Sequence, residues 1–255
     1  MLDKVKKIAI SAGNEILTVY KKDFHIELKN DESPLTTADR LSQNFIQKEL
    51  SAYWDDIPIL SEEGTSIPYH ERSKWETFWL VDPLDGTKEF IKKNDEFTVN
   101  IALIHKGHPI LGVIYAPALD ILYFAKKNKG AFKQIRAQRS VDPPVRLQTD
   151  SESKHKSVVI SRSHMSKETN SFIRDLEKRE GELKFSPIGS SLKFCLVAEG
   201  VAHYYPRLAP TMEWDTAAGQ IIVEEAGGSV LVHETNSKLL YNKIHLTNPP
   251  FVCEF

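Results

Sequence analysis

With 255 residues, of which 41% are hydrophobic and 27% are charged, the chain can bury a substantial core in one large or two modest domains. The formal net charge of −2 excludes the broad basic field of a nucleic-acid-binding protein, so a polyanionic ligand would need a local cationic site. The two cysteines, Cys195 and Cys253, favour a reduced cytoplasmic protein over a disulfide framework.

The first half of the chain is predicted to contain two amphipathic helices and a mostly antiparallel sheet. Apolar residues at three- and four-residue steps over residues 1–22 predict the first helix, and the lysines within it exclude a signal peptide. The spacing of Thr36 and Asp39 is that of a capping box, which predicts the start of the second helix. Apolar strands are predicted at 57–60, 78–81, 97–104, 110–115 and 122–125. No apolar stretch is long enough to span a bilayer.

The second half alternates short strands with helices. Strands are predicted at 158–160, 203–205 and 230–232, and helices at 167–179, 190–199 and 215–226. Such alternation is typical of an α/β arrangement. The polar stretch 133–156 predicts a boundary between an N-terminal α+β domain (1–145) and a C-terminal α/β domain (146–255), packed as one compact unit.

The most informative motif is DPLDGT at 82–87. Pro83 favours an extended conformation at the residue before it, so the carboxylate of Asp82 should project from the end of the preceding strand. Asp85 adds a carboxylate in the same turn, and the Leu84 carbonyl is free of regular strand pairing. Mg²⁺ prefers such oxygen ligands, and cations are needed between carboxylates and a doubly anionic phosphate ester. The motif therefore indicates phosphate-ester hydrolysis, although the short string alone is also a common turn.

Other residues extend this hypothesis. Gly86 permits close approach of the backbone to a phosphate, and Thr87 supplies a hydroxyl. Glu62 follows an apolar strand, as Asp82 does, and is a further candidate metal ligand. Asp39 and Asp215 stand at predicted helix starts, where a carboxylate can also cap a helix without any catalytic role.

Four segments closely resemble the inositol monophosphatase superfamily of Mg²⁺-dependent, lithium-sensitive phosphatases: 33–39, 60–63, 79–90 and 214–219. Within it, segments 82–97 (DPLDGTKEFIKKNDEF), 161–164 (SRSH) and 188–200 (IGSSLKFCLVAEG) look most like the bacterial CysQ type of 3′(2′),5′-bisphosphate nucleotidase. The sequence Lys88-Glu89-Phe90, where inositol-type members usually have Asn after DGT-x, favours that branch. The resemblance runs nearly end to end and implies an α+β / α/β fold, a layered αβαβα sandwich.

The resemblance also implies a role for each matching position. The metal ligands would be Glu62, Asp82, the Leu84 carbonyl, Asp85 and Asp215, holding about two or three Mg²⁺ ions with no organic cofactor. The phosphate and nucleotide contacts would be Asp85, Gly86, Thr87, Lys88, His164, Gly189, Ser190, Lys193, Arg207 and Asp215. Glu62 with Thr87, or Asp39, would activate the attacking water, and the resemblance does not decide between them.

The reaction implied is hydrolysis of the 3′-phosphate of adenosine 3′,5′-bisphosphate (PAP) to AMP and phosphate in sulfur assimilation, with the sulfated nucleotide PAPS as a second substrate. Inositol or sugar phosphatase activity on the same metal centre is the alternative, and a non-catalytic nucleotide sensor is the other. A zinc site at His105 and His108 is disfavoured because Gly107 marks a turn between them. The expected location is the cytoplasm, and peripheral inner-membrane association and the oligomeric state stay open.

Overall fold

The computed structural model describes residues 1–22, 26–28, 34–139, 142–148, 156–161 and 166–255. Its elements in chain order are α1 (Leu2–Tyr20), β1 (Ile26–Leu28), β2 (Pro34–Thr36), α2 (Thr37–Tyr53), β3 (Ile59–Ser61), α3 (Tyr69–Arg72), β4 (Thr77–Asp85), α4 (Thr87–Ile91), β5 (Thr98–His105), β6 (His108–Ala116), β7 (Ile121–Lys126), β8 (Gly130–Ile135), β9 (Val145–Leu147), β10 (Ser157–Ile160), α5 (Lys167–Glu180), β11 (Lys184–Pro187), α6 (Leu192–Ala198), β12 (Tyr204–Arg207), α7 (Glu213–Ala226), β13 (Ser229–Val232) and β14 (Phe251–Glu254).

Two large sheets organise these elements. The first has the order β3-β4-β5-β6-β7-β8-β9 and is antiparallel except for the parallel pair β3 and β4. The second has the order β11-β10-β12-β14-β13, with β10 parallel to β11 and β12. A short antiparallel pair, β1 and β2, precedes α2. The first half is therefore mostly antiparallel, as predicted.

Side chains that alternate along the strands divide the molecule into layers. In β4, Trp79 and Val81 pack into a core with α1 and α2, whereas Phe78 and Leu80 face the opposite way into a core that contains α6 and α7. The second sheet covers the other side of α6 and α7, and its outer face carries Val158 against α5. The predicted αβαβα sandwich is confirmed.

The polar stretch 133–156 includes regular secondary structure among its described residues. It contains the end of β8 and all of β9, which pairs with β8 at the edge of the first sheet. The predicted cut between 145 and 146 falls inside β9, and the division into two domains stays a prediction. Among the described residues, no helix is both long and apolar enough to cross a membrane.

Candidate active site

The first part of the site is built by β4 and the turn after it. Asp82 and Asp85 both lie in β4, but the pairing with β5 shifts register between them. Pro83 has no N–H to pair, and its carbonyl accepts a hydrogen bond of 2.7 Å from the hydroxyl of Ser42 in α2. The N–H of Leu84 donates to Asp82 Oδ1 at 3.0 Å. The expectation that the strand ends before Asp82 is wrong, because β4 resumes pairing after this irregularity.

Gly86 forms a turn that other residue types could not form without strain. Its φ is 90°, and a Cβ there would lie 3.0 Å from the carbonyl oxygen of Glu96 and 3.2 Å from Cβ of Ser190. Helix α4 begins at the next residue, Thr87. The absence of a side chain at Gly86 therefore lets the loop of Glu96 and the turn of Ser190 close around this segment.

Asp39 lies behind this turn and reaches it through Thr87. Asp39 Oδ2 accepts hydrogen bonds of 2.7 Å from both the N–H and the hydroxyl of Thr36, which completes the predicted capping box of α2. Asp39 Oδ1 accepts a hydrogen bond of 3.2 Å from the Thr87 hydroxyl. Because Asp39 is only 1% exposed, the hydroxyl of Thr87 lies between its carboxylate and the cavity.

Strand β3 places Glu62 beside Asp82. It runs parallel to β4 with Ser61 opposite Val81, and the Glu62 N–H extends this pairing with a hydrogen bond of 3.1 Å to the Val81 carbonyl. Parallel strands bring their carboxyl ends to the same edge of a sheet. The side chains of Glu62 and Asp82 consequently lie close enough for the charge of Glu62 to raise the pKa of Asp82.

Asp215 reaches the site from the first turn of α7. Its Oδ2 accepts a hydrogen bond of 2.8 Å from the N–H of Met212, so it does cap the helix. Asn248 holds the same turn by donating to the Met212 carbonyl at 2.8 Å and to the Thr216 hydroxyl at 3.0 Å. Capping occupies one carboxylate oxygen, and Asp215 also lines the cavity. Both roles weighed from the sequence are therefore compatible.

The turn before α6 closes the opposite side. Ser190 has a φ of 48°, in the left-handed region that few non-glycine residues adopt. The N–H of Ser191 donates to Asp85 Oδ2 at 2.5 Å, and the N–H of Gly189 donates to the carboxylate of Glu96 at 2.7 Å. These two bonds connect a turn from the second half of the chain to the acidic turn of the first half.

Burial and mutual repulsion raise the pKa values of the aspartates. The pKa of Asp82 lies well above its ordinary value, first because the side chain is buried and then because carboxylates surround it. Burial and the charge of Asp85 raise the pKa of Asp215 in the same way. Burial also raises the pKa of Asp85, although the nearby ammonium of Lys193 opposes this shift. The cluster therefore holds negative charge that a cation would stabilise.

Two cationic side chains line the same cavity. The ammonium of Lys193, a residue only 5% exposed, donates to two carbonyls of the preceding turn at 2.5 and 3.3 Å. Burial lowers its pKa to about 8, and the charge of Asp85 opposes this shift. Arg207 donates from Nη2 to the Pro210 carbonyl at 3.0 Å, and its buried Nε has no hydrogen-bond partner within the described part of the chain. A polyanion could be held here between cationic and acidic walls.

These elements surround a cavity of about 300 Å³. The predicted site residues that line it are Glu62, Asp85, Gly86, Thr87, Lys88, Gly189, Ser190, Lys193, Arg207 and Asp215. Asp82, Asp39 and the Leu84 carbonyl lie behind this lining, and they contact Glu62 or Thr87. His164 lies outside the described residues. Among those described, no three His, Cys, Asp or Glu side chains are spaced to hold an ion as they stand.

The structure adds residues that the sequence analysis did not assign. Asn100 is 1% exposed, accepts a hydrogen bond of 2.8 Å from the Ser191 hydroxyl and donates one of 3.5 Å to Asp85. A buried amide in the otherwise apolar strand β5 was the available signal. Ser191, Tyr205 and Glu89 also line the cavity. Only the tertiary contacts distinguish them from ordinary helix and strand residues.

The chain matches the Inositol monophosphatase family over residues 1–250. It is 46% identical over 248 residues to the 3′(2′),5′-bisphosphate nucleotidase CysQ of Salmonella typhimurium, an alignment that covers 94% of this chain and 93% of that protein. The crystal structure of CysQ from Bacteroides thetaiotaomicron is similar with a TM-score of 0.85 and 42% identity, covering 99% of this chain and 96% of that one. The IMPase of Thermotoga maritima is similar with a TM-score of 0.80 and 25% identity, covering 99% and 91%.

Proposed function

This chain belongs to the inositol monophosphatase family, and from that premise we propose that it is a Mg²⁺-dependent 3′(2′),5′-bisphosphate nucleotidase that converts PAP to AMP and phosphate. The observation that carries the proposal is the cavity itself, where the acidic cluster and the turn at Gly86 face Lys193 and Arg207. The similarity to CysQ proteins over almost the whole chain supports the choice of a nucleotide substrate. PAPS, which carries the same 3′-phosphate, is the second substrate that we propose.

The donor set fits a hard divalent cation. Glu62, Asp82, Asp85, Asp215 and the Leu84 carbonyl offer only oxygen atoms, which are the ligands that Mg²⁺ prefers. The raised pKa values of the aspartates indicate that their charged forms need positive charge nearby. Asp82, Asp85 and Asp215 each accept a hydrogen bond from a backbone N–H, so metal binding requires some of these side chains to turn. Bound Mg²⁺ would supply Lewis acidity and neutralise charge on the phosphate.

Water activation is assigned to Asp39 and Thr87 together. The Thr87 hydroxyl donates a hydrogen bond to Asp39 Oδ1. The lone pairs of the Thr87 oxygen are therefore free to accept a hydrogen bond from water in the cavity. The other oxygen of Asp39 already accepts two hydrogen bonds from Thr36, so the carboxylate is held in one orientation. This arrangement favours Asp39 with Thr87 over Glu62 with Thr87, because the Thr87 hydroxyl donates a hydrogen bond to Asp39.

The nucleotide is assigned to the other wall of the cavity. Two protons of the Lys193 ammonium are directed to backbone carbonyls, and the third is available to an anionic ligand. Arg207 adds a second positive charge on the same wall. A substrate with two phosphate groups needs this second cationic region, whereas an inositol monophosphate does not.

A substrate panel tests the proposal. Phosphate release from PAP, PAPS and inositol 1-phosphate should be measured with the purified protein, with Mg²⁺ and with EDTA. We expect PAP and PAPS to be hydrolysed only with Mg²⁺, and inositol 1-phosphate much more slowly. A faster rate with inositol 1-phosphate would support the alternative of an inositol or sugar phosphatase. Tight PAP binding without turnover would support a nucleotide sensor, an alternative that the Asp39 and Thr87 arrangement disfavours.

Competing cations provide an independent test. Ca²⁺ accepts a larger and looser coordination shell than Mg²⁺, so it should misplace the attacking water and inhibit turnover. Lithium inhibition is expected from the family resemblance. Rates that stay unchanged when Ca²⁺ replaces most of the Mg²⁺ would contradict the metal-assisted mechanism. A cytoplasmic location stays a prediction.

A further inference from the structure

Glu89 is a carboxylate in the cavity that the proposed chemistry does not use. It lies in α4, two residues after Thr87, lines the cavity, and is 8% exposed. Among the described residues its carboxylate forms no ion pair, and its one hydrogen bond is to its own backbone N–H. The residue is therefore packed into the cavity wall, and its carboxylate keeps unused hydrogen-bonding capacity on the side that opens to the cavity.

The fold makes room for this side chain. A Cβ on Gly189 would lie 2.6 Å from Cγ of Glu89, so only glycine at 189 allows Glu89 to take this position. Lys193, on the helix that follows Gly189, lowers the pKa of Glu89 through its charge, but burial has the larger, opposing effect. The position is thus a tightly packed part of the site and not a solvated helix surface.

A carboxylate that neither binds metal nor activates water is unfavourable in a phosphatase cavity unless it contacts a neutral hydrogen-bond donor. Glu89 repels a phosphate dianion, and its carboxylate loses hydration when a substrate fills the cavity. Both costs fall if a hydroxyl of the bound substrate donates a hydrogen bond to it, and such charged hydrogen bonds are stronger than neutral ones. The hydroxyl nearest the reacting phosphorus in a ribose 3′-phosphate is the vicinal 2′-hydroxyl, and in a 2′-phosphate it is the 3′-hydroxyl.

We propose that Glu89 is a specificity residue that accepts a hydrogen bond from the substrate hydroxyl vicinal to the scissile phosphate ester. The inference deepens the proposed function and rests on it. Glu89 occupies the same short segment as Gly86 and Thr87, which places it beside the reacting phosphate and away from the more distant base. Glu89 thereby selects ribonucleotide over deoxyribonucleotide bisphosphates.

The test compares PAP with 2′-deoxyadenosine 3′,5′-bisphosphate in the wild-type protein, Glu89→Gln and Glu89→Ala. Loss of a hydrogen bond to a charged acceptor corresponds to about a 10- to 100-fold loss in kcat/KM. We expect the wild-type protein to prefer PAP by about that factor, Glu89→Gln to prefer it less, and Glu89→Ala to hydrolyse both nucleotides with similar kcat/KM. Glu168→Gln, which changes an exposed carboxylate on α5, is the matched control and should keep the wild-type preference.

Binding of the product gives a second readout that does not require turnover. The ratio of the dissociation constants of 2′-deoxyAMP and AMP should fall towards one in Glu89→Ala. If Glu89 has only a structural role, its replacement should weaken the binding of both nucleotides equally and leave the ratio of dissociation constants unchanged. That result would overturn the inference while the proposed function stands. If wild-type protein hydrolyses neither bisphosphate but does hydrolyse inositol 1-phosphate, the proposed function fails and the inference fails with it.

Discussion

Removing a charge from the buried acidic cluster should raise the stability of the fold and lower the activity. Replacement of Asp82 by Asn removes one negative charge from a site where burial and neighbouring carboxylates raise the pKa of the aspartate. The Asn side chain keeps an oxygen for the hydrogen bond from the Leu84 N–H. In EDTA, Asp82→Asn should therefore be more stable than the wild-type protein, although it should be nearly inactive.

The size of this effect follows from the charges. Two unit charges about 6 Å apart in a medium with an effective dielectric constant of about 20 repel each other by about 3 kcal/mol. The raised pKa of Asp82 keeps part of the cluster protonated and so lowers the repulsion, and the expected gain is therefore about 1–3 kcal/mol at pH 8. For a chain of this length it corresponds to a rise in Tm of about 2–10 °C.

The pH dependence has a defined sign. The folded-state pKa of Asp82 lies above the ordinary value of 3.8, so the unfolded state releases its proton first as the pH rises. The wild-type protein in EDTA should therefore lose stability as the pH rises above about 4 and the carboxylates ionise. The difference in Tm between Asp82→Asn and wild type should be larger at pH 8 than at pH 5.

Thermal unfolding with and without Mg²⁺ measures both consequences. A ligand at 100 times its Kd stabilises the folded state by about 2.7 kcal/mol, so Mg²⁺ should raise the Tm of the wild-type protein and raise that of Asp82→Asn much less. PAP turnover should fall by at least about 10²–10³-fold. Asp55→Asn, at an exposed position, is the control and should change neither quantity. A variant that is less stable than wild type in EDTA at pH 8 would refute the electrostatic argument.

Three further predictions concern the scaffold. In Gly219→Ala the new Cβ would overlap Cγ of Phe194, so denaturant unfolding should show a loss of about 1–3 kcal/mol in the free energy of unfolding. No loss would mean that the two helices separate easily. The carboxylate of Glu213 is buried and accepts bonds from two backbone N–H groups and the Lys243 ammonium at 2.6–3.0 Å, so Glu213→Gln should cost about 2–4 kcal/mol in the same assay. Burial lowers the pKa of His203 below 6.5, so the unfolded state binds a proton at His203 first as the pH falls. The stability of the wild-type protein should therefore decline below pH 6.5, and this decline should be less steep in His203→Asn. An equally steep decline in His203→Asn would assign it to other groups.

Local sequence was enough to predict much of the fold and the list of candidate ligands. The capping box of Thr36 and Asp39 and the end of α7 at Gly227 depend on neighbouring residues only, so each could be recognised from spacing and residue type. Apolar runs likewise predicted β3 to β7 of the first sheet but missed β8 and β9. The family resemblance contributed the layered architecture and the roles assigned to each position.

Tertiary structure decided how these pieces meet. The hydrogen bond between the Ser191 N–H and Asp85 joins residues 106 positions apart in the chain, and no local pattern predicts it. The same holds for Asp39, which the sequence placed at a helix cap and the fold places behind Thr87, and for Glu89, which fills the space beside Gly189. Capping and turn formation are governed by short-range backbone geometry, whereas the contents of the cavity depend on how two sheets and the helices between them pack.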